Sequence, residues 1–343
     1  MADERYKIGI DFGGSHFGVG LTDSFGNIIS KIDKNFDFSS MENQKEKEEA
    51  IIDTLIPIIN DCIEEAKIDR TALDFIGVGA PGVCKGTKMI YLINIGIKNF
   101  DIGEALRNRY DELGLDEARV KIVVENDGNC AAVGEMELGA LKGAKNGVHL
   151  VYGTGLGAGL ILNGKLYKGE HNSAGEVGHV LDENRGHLET KVSVKRLRET
   201  VSDILNLKMT IDGIELEGII DRVYDRVDYK IVERIQNKNS NVLELLNEKN
   251  SEEIKETYET YKDNLALSLI NIVNTFDPKR ISIGGSLSYF IEKDLDEIVR
   301  KVNEECYYKT EENPEGIAYE IVKAALGNDA GIIGAALLEK YIV

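Results

Sequence analysis

Residues 6–23 read YKIGIDFGGSHFGVGLTD, and the order of apolar and small residues in this stretch predicts how the chain begins. Alternating residues predict one strand at Tyr6–Asp11 and another at Phe17–Thr22, with the glycines at 13 and 14 forming the turn between them. A Gly-Asn turn at 26–27 then leads into a third strand at Ile28–Ile32. The chain is therefore expected to open with a meander of three strands.

The same arrangement occurs again at residues 149–167, which read HLVYGTGLGAGLILNGKLY. The three strands of this second copy are predicted at 149–152, 158–162 and 165–167, separated by a glycine turn at 153–157 and a hairpin turn at 163–164. An internal repeat of this kind predicts two similar α/β domains. We expect their glycine turns to face one another across an interdomain cleft.

Helical spacing of apolar residues and short apolar runs predict the remaining elements. Helices are expected at 41–66, 102–113, 130–141, 192–207, 216–235, 242–246, 252–276, 291–305 and 328–341, and buried strands at 75–79, 120–124, 280–283 and 318–322. We expect a first domain of residues 1–125 plus the C-terminal helix at 328–343, and a second domain of residues 126–327 with helical additions.

Composition excludes several classes of protein. The chain has 343 residues, of which 42% are hydrophobic and 29% charged, so it can bury a sizeable core. Its formal net charge of −19 opposes binding to a phosphate backbone, so we expect no nucleic-acid partner. The four cysteines form no C-x-x-C pair and are expected to be reduced, packed thiols. No signal peptide or membrane span is recognisable, and we expect a cytoplasmic protein.

The turn at 11–15 has the residues that a phosphate-binding turn needs. Gly13 and Gly14 allow backbone N–H groups and the Ser15 hydroxyl to approach a phosphate, and Asp11 at the strand end can hold a hydrated Mg²⁺. A plain hairpin turn would also account for these residues.

The second glycine turn, Gly153-Thr154-Gly155, partly matches a dinucleotide-binding fingerprint. That fingerprint requires a helix directly after the turn, whereas a strand and a hairpin are predicted here. A second phosphate turn, with Thr154 as an extra hydroxyl donor, is therefore the better interpretation.

Two further polar groups are candidates for a site. Asp127, in the run Glu125-Asn-Asp-Gly-Asn129, follows a buried strand and precedes a helix, so it is either an N-cap or a general base. Glu176, His179 and Glu189 could form a polar cluster for neutral hydroxyl groups, a metal site, or simply an exposed loop.

Taken in order, these motifs resemble the ROK family of sugar kinases, within the actin-like and hexokinase-like ATPases. The match spans nearly the whole chain and comprises D-x-G-G-S at 11–15, G-x-P-G at 79–82, N-x-x-x-K-N at 94–99, E-N-D-x-N at 125–129, G-T-G-x-G at 153–157, A-G-E-x-G-H at 174–179, D-P-x-x-I-x-I-G-G at 277–285 and G-N-D-A-G at 327–331. The resemblance implies two actin-like (ribonuclease H-like) α/β domains and the transfer of a phosphoryl group from ATP to a hexose, with glucose the first choice.

The resemblance also implies a role for each matching position. Asp127 would be the catalytic base that takes the proton from the sugar hydroxyl, and Asp11 would hold Mg²⁺ through water. The implied sugar-binding residues are Gly82, Asn94, Asn126, Asp127, Glu176, His179 and Glu189. The implied phosphate-binding residues are Gly13, Gly14, Ser15, Gly153, Thr154 and Gly155, and Gly284 and Gly285 would border the adenine.

The chain departs from the family pattern at three places. Many members carry a cysteine-rich zinc knuckle where only seven residues separate His179 from His187 here, none of them cysteine, so we expect no structural zinc. His16 stands where a lysine is usual, which affects one phosphate contact. Ile97 replaces a frequent tryptophan and could widen the sugar pocket.

Other functions remain open at this point. N-acetylmannosamine, N-acetylglucosamine, fructose and allose are alternative substrates, and the family also includes sugar-sensing repressors that do not catalyse. Those repressors carry a DNA-binding arm before the first strand, and here that strand begins at Tyr6. An actin-like or chaperone-like ATPase would need no sugar cluster. The helical second half and the small-residue C-terminal helix suggest a homodimer.

Overall fold

The computed structural model describes residues 5–13, 16–39, 41–92, 95–182, 184–207, 216–226, 228, 230–231, 233, 245–307 and 319–341 of the chain. In the first part of the chain the strands are β1 Tyr6–Phe12, β2 His16–Asp23, β3 Ile28–Asn35, β4 Leu73–Ala80, β5 Val83–Lys85, β6 Lys88–Leu92, β7 Ile97–Phe100 and β8 Lys121–Asn126. Later in the chain they are β9 Gly147–Tyr152, β10 Leu156–Leu162, β11 Lys165–Leu166, β12 Arg280–Gly284 and β13 Glu320–Lys323.

The helices of the described residues begin and end close to most of the predicted bounds. They are α1 Gln44–Ala66, α2 Ile102–Arg107, α3 Tyr110–Leu113, α4 Asp127–Glu137, α5 Glu189–Val192, α6 Val194–Ile204, α7 Leu216–Val223, α8 Glu248–Phe276, α9 Leu295–Glu305 and α10 Ala330–Leu337. The single helix predicted at 102–113 is wrong, because α2 ends at Arg107 and α3 begins at Tyr110. The helix predicted at 242–246 lies mostly outside the described residues.

Two five-stranded sheets repeat one topology. The first has the order β3-β2-β1-β4-β8, in which β1 is antiparallel to β2 and parallel to β4, and β4 is parallel to β8. The second has the order β11-β10-β9-β12-β13, with β10 antiparallel to β11 and β12 parallel to β13. An antiparallel meander followed by two strands that arrive after helices is thus formed twice, which confirms the predicted repeat.

A third sheet was not predicted from the sequence. Strands β5, β6 and β7 form a small antiparallel sheet between β4 and α2. Each strand has only three to five residues, and Gly86 and Gly96 interrupt the segment with positive φ angles of 65° and 74°. Short strands with little alternation give a weak periodic signal, so the sequence pattern of this segment predicts no strand.

Internal contacts divide the chain into two compact units. One comprises Met1–His149, Ala158–Gly175 and Ala324–Val343, and the other comprises Leu150–Gly157 and Glu176–Lys323. The domain boundaries expected from the sequence stay a prediction. All four cysteines are free and buried, as expected of packed thiols.

The core of the first unit lies on both faces of its sheet. Apolar residues of α1, among them Ile51, Leu55 and Ile59, pack on one face and are fully buried. Helix α10 covers the other face and also packs on α4. A Cβ built on Gly77 of β4 would overlap the carbonyl oxygen of Ala335, so only glycine allows α10 to lie this close to the sheet.

No helix among the described residues is long and apolar enough to cross a membrane.

Candidate active site

Asp127 stands at the junction between β8 and α4. The preceding residue, Asn126, is the N-cap of α4, because its side-chain oxygen accepts a hydrogen bond from the N–H of Asn129 at 3.1 Å. The interpretation of Asp127 as the N-cap is therefore wrong. Asp127 is the first helical residue, where the positive end of the helix dipole favours an ionised carboxylate. Its Oδ1 accepts a hydrogen bond from the N–H of Gly128 at 2.8 Å.

Asn126 also connects this junction to the loop after β4. Its Nδ2 donates to the carbonyl oxygen of Gly82 at 3.1 Å. Gly82 has a φ of 85°, and a Cβ there would overlap the carbonyl oxygen of Tyr91. The structure thus brings Gly82, Asn126 and Asp127 together in the first unit.

Asp11 is the next-to-last residue of β1, and its carboxyl group interacts electrostatically with Asp127. Burial, followed by the negative charge of Asp127, raises the pKa of Asp11 to about 6. Gly331 of α10 approaches so closely that a Cβ on it would lie 2.7 Å from the Asp11 carboxyl carbon. Two carboxylates that lie close together make the ionisation of one another more costly, and a bound cation relieves this cost. Carboxylate and water oxygens are ligands that suit Mg²⁺. The residues present therefore fit a magnesium ion held by Asp11 through water.

His16 of β2 and Lys31 and Asp33 of β3 also act electrostatically on Asp11. Lys31 forms ion pairs with Asp33 and Asp329, each at 2.9 Å. The Nε2 of His16 lies 3.1 Å from Asp33. His16, which replaces the usual lysine, is thereby tied to a carboxylate, and Gly13 donates its N–H to the carbonyl oxygen of His16 at 2.9 Å to close the turn.

In the second unit the glycine turn at 153–157 packs beside the segment of Glu176 and His179. The N–H of Gly153 donates to the carbonyl oxygen of Gly155 at 3.0 Å, and Thr154 is exposed. Glu189, the first residue of α5, accepts a 3.4 Å hydrogen bond from the N–H of Leu156. Gly178 lies against both Leu156 and Glu189.

Residues Val177–His179 form a single turn of 3₁₀ helix. Glu176 directly precedes this turn, and His179 is its last residue. Their side chains are 51% and 54% exposed, and the Glu176 Oε2 lies 3.8 Å from the His179 Nε2. Two exposed polar side chains on one turn, with Glu189 packed beside it, can present oxygen and nitrogen atoms to a polar ligand.

Gly284 and Gly285 lie at the end of β12, next to the start of the glycine turn. Gly285 has a φ of 73°, and a Cβ on it would overlap the backbone of Tyr152, which directly precedes Gly153. In the second unit, Gly284-Gly285 and the start of the glycine turn at 153–157 therefore lie together at one end of the neighbouring strands β9 and β12. Three predicted site residues, Gly14, Ser15 and Asn94, lie outside the described residues.

A family model described as the ROK family matches residues 7–341. The chain belongs to the ROK family. A glucokinase of Halalkalibacterium halodurans is 27% identical, over 98% of this chain and 96% of its own length. A xylose repressor of Bacillus spizizenii is 26% identical, over 96% of this chain and 75% of its own.

Solved structures show the same fold. A ROK family glucokinase from Streptomyces griseus, in complex with glucose and AMPPNP, has a TM-score of 0.70 to this chain at 23% identity, covering 97% of this chain and 98% of its own. The fold class predicted from the sequence, two similar actin-like α/β domains, is confirmed. The matched relatives of this ROK chain thus include both kinases and repressors.

The sequence reasoning missed one pair of this ROK site. Glu125 is only 4% exposed, and its Oε1 accepts hydrogen bonds from the N–H of Asn126 and the Nδ2 of Asn129 at 2.9 and 3.0 Å. Its Oε2 forms an ion pair with the Nζ of Lys168 at 3.1 Å. The pair fixes the strand end that carries Asn126 and Asp127. In the sequence, the acid that opens E-N-D-x-N was the only signal for this pair, and nothing there indicates that Lys168 is its partner.

The described residues of this ROK chain contain no group of three or more His, Cys, Asp or Glu placed to hold a metal ion. The donor set near His179 therefore does not fit a zinc knuckle. The expectation of no structural zinc stays a prediction, which elemental analysis of the purified protein tests.

Proposed function

We propose that this protein phosphorylates a hexose, with glucose the first candidate, using ATP and Mg²⁺. The observation that carries the proposal is the placement of Asp127 beside Asp11 at the amino end of α4, in a ROK chain whose relatives include glucokinases. We further propose a cytoplasmic homodimer.

Asp127 acts as the general base in this proposal. As the sugar hydroxyl oxygen attacks the γ-phosphorus of ATP, its proton passes to the Asp127 carboxylate. The new O–P bond forms while the bond between the γ-phosphorus and the β,γ-bridging oxygen breaks, and ADP leaves. A positioned base of this kind contributes roughly 10²–10⁴-fold to the rate.

The sugar is held by polar side chains that pair with its hydroxyl groups. Asn126, Glu176, His179 and Glu189 are the proposed ligands, with Gly82 and Asn94 beside the ring. Each sugar hydroxyl buried without a partner would cost about 1–3 kcal/mol, so these contacts also discriminate between sugars. The interdomain cleft in which sugar and nucleotide would meet stays a prediction.

In this proposal, backbone groups bind the nucleotide and one carboxylate holds its Mg²⁺. The proposal assigns the phosphates to Gly13, Gly14, Ser15, Gly153, Thr154 and Gly155, and the adenine to the Gly284-Gly285 turn. Because the N–H groups of Gly13 and Gly153 close their own turns, we expect their neighbours to donate to phosphate oxygens. Magnesium held by Asp11 through water would neutralise charge on the phosphates.

A second candidate function comes from the xylose repressor relative. A sugar sensor would use the same polar ligands for binding without phosphoryl transfer. N-acetylmannosamine, N-acetylglucosamine, fructose and allose remain alternative substrates of a kinase.

A coupled assay of ADP release, run over this panel of sugars with and without Mg²⁺, tests the proposal. We expect Mg²⁺-dependent release with glucose above the release without sugar. If ADP release ignores every sugar, the kinase proposal fails, and calorimetry with the same sugars then shows whether the protein only binds them.

A further inference from the structure

Residues 180–182 and 184–188, between the Glu176–His179 segment and α5, pair as the two arms of a short hairpin. The arms are joined by an antiparallel bridge between Leu181 and His187. The N–H of Leu188 donates to the carbonyl oxygen of Val180 at 2.8 Å, and the N–H of Asp182 donates to the carbonyl oxygen of Gly186 at 2.8 Å. This is the segment where many family members have a zinc knuckle.

One carboxylate holds the end of this hairpin. The Oδ1 of Asp182 accepts hydrogen bonds from the N–H groups of Asn184 and Gly186, both at 2.8 Å. Its Oδ2 pairs with the Nζ of Lys191 at 2.8 Å, and the Asp182 side chain is 12% exposed. Hydrogen bonds and one ion pair therefore fix the turn without any metal ligand.

The hairpin places His187 next to His179. The two Nδ1 atoms are 3.2 Å apart, and the ring centroids are 5.0 Å apart with the planes at 87°. The carbonyl oxygen of His187 accepts from both the N–H and the hydroxyl of Thr190, which anchors its backbone. Because a neutral imidazole has one donor and one acceptor nitrogen, the bond requires one ring to donate and the other to accept.

We propose that His187 is a positioning residue, which fixes the orientation of the His179 ring for its contact with the sugar. The inference rests on the proposed function, since it needs His179 to be a sugar ligand. The ring of His179 is 54% exposed, so packing restricts it little, and the bond to His187 supplies the restriction. A ring already oriented does not lose that rotational freedom when sugar binds.

The first test uses the free protein and ¹⁵N–¹H spectra of its histidine rings. In the wild type we expect the Nδ1 of His179 to resonate as a nitrogen hydrogen-bonded to another imidazole. In His187→Leu, which removes the hydrogen bond and puts an apolar side chain in its place, we expect this signal to move to the position of a solvent-exposed imidazole. An unchanged His179 spectrum in this variant overturns the proposal, whether or not the protein is a kinase.

The second test measures the kinetics of the same variants. His187→Leu should raise the KM for the sugar by about tenfold, while kcat and the KM for ATP change by less than about twofold. His187→Asn, which keeps a polar atom at the Nδ1 position, should restore most of the loss. Equal losses in all three constants, or no rescue by asparagine, would show a merely structural role for His187.

Two controls complete the design. Asn184→Ala alters an exposed side chain of the same hairpin and should leave the sugar KM unchanged. Protein dialysed against a zinc chelator and returned to Mg²⁺ should also keep its KM. A KM that rises on chelation would mean that a metal, not His187, orients His179. If the wild type phosphorylates no sugar, the proposed function fails, and the spectra still decide the role of His187.

Discussion

At the scale of single residues, ionisation of Asp11, the form that we propose for catalysis, lowers the stability of the folded protein. Its pKa is raised from 3.8 to about 6, first by burial and then by the charge of Asp127. The folded protein therefore holds this proton more tightly than the unfolded chain does. The stability that it contributes is complete below about pH 4 and is lost as the pH rises through about 6.

We therefore expect Asp11→Asn to be more stable than the wild type at pH 7.5, by roughly 1–3 kcal/mol, and about as stable at pH 4. Calorimetric unfolding without Mg²⁺ measures the difference at both pH values. Adding excess Mg²⁺ should then raise the melting temperature of the wild type but not of the variant. A variant that is less stable at pH 7.5 would contradict this account of Asp11.

Lys168 supplies the positive charge for a buried acid. Lys168→Met leaves the Glu125 carboxylate, which is only 4% exposed, without its cation. We expect a loss of roughly 1–3 kcal/mol in the free energy of unfolding, nearer the lower figure because Lys168 is itself partly exposed.

Urea unfolding measures this loss, with Lys165→Met as the control at an exposed lysine of the neighbouring strand. Combining Lys168→Met with Glu125→Gln should recover part of the loss, because the unpaired charge is then removed. Additive losses in the double variant would mean that the two side chains do not interact.

Some residues of the candidate site could be predicted from the sequence, and their partners could not. The run E-N-D-x-N predicted Asn126 and Asp127 as site residues because the two residues are adjacent and their chemistry is local. The partners Lys168 and His187 could not be identified, since each contact joins residues whose proximity depends on the folded loops. Glu189 was predicted as a sugar ligand, and its hydrogen bond to Leu156 is likewise visible only in the fold.

At the scale of elements, helix α10 depends on the absence of side chains at its contacts. A Cβ built on Gly334 would overlap the carbonyl oxygen of Cys130 in α4. We expect Gly334→Ala to lower the free energy of unfolding by about 1–3 kcal/mol, because α10 must move away from α4. Gly157→Ala, where nothing lies within 4 Å of the added Cβ, is the matched control.

Urea unfolding of both variants measures the effect. If the two alanines cost the same, close packing of α10 on α4 is not what selects glycine at position 334. The small residues of the helix predicted at 328–341 favour close packing, because such residues let backbones approach. They could not indicate that the partners would be both α4 and the sheet, which only the topology decides.

At the scale of the whole molecule, the repeat was the most informative pattern in the sequence. Two copies of strand, glycine turn, strand, tight turn and strand predicted both sheets, because period-two alternation and turn residues are local signals. The small sheet of β5, β6 and β7 has no such signal. The split of the chain into Met1–His149, Ala158–Gly175 and Ala324–Val343 against the rest depends on contacts between distant segments.

The net charge of −19 separates the two functions found among the relatives. Because a surface of this charge repels phosphates, we expect the chain to leave duplex DNA unshifted in gels at low salt, with or without sugar. The xylose repressor relative with its own DNA site is the positive control. A shift by the chain alone that weakens with salt would favour a role in binding DNA.

In the proposed reaction, Asp127 removes the proton from a sugar hydroxyl during phosphoryl transfer. The most direct measurement is sugar-dependent ADP release by Asp127→Ala, beside the wild type and Asp61→Asn, a control at an exposed aspartate of α1. We expect the rate of Asp127→Ala to fall by roughly 10²–10⁴-fold, with its unfolding transition and sugar binding retained and Asp61→Asn unchanged. Turnover by a folded Asp127→Ala at the wild-type rate would contradict the account.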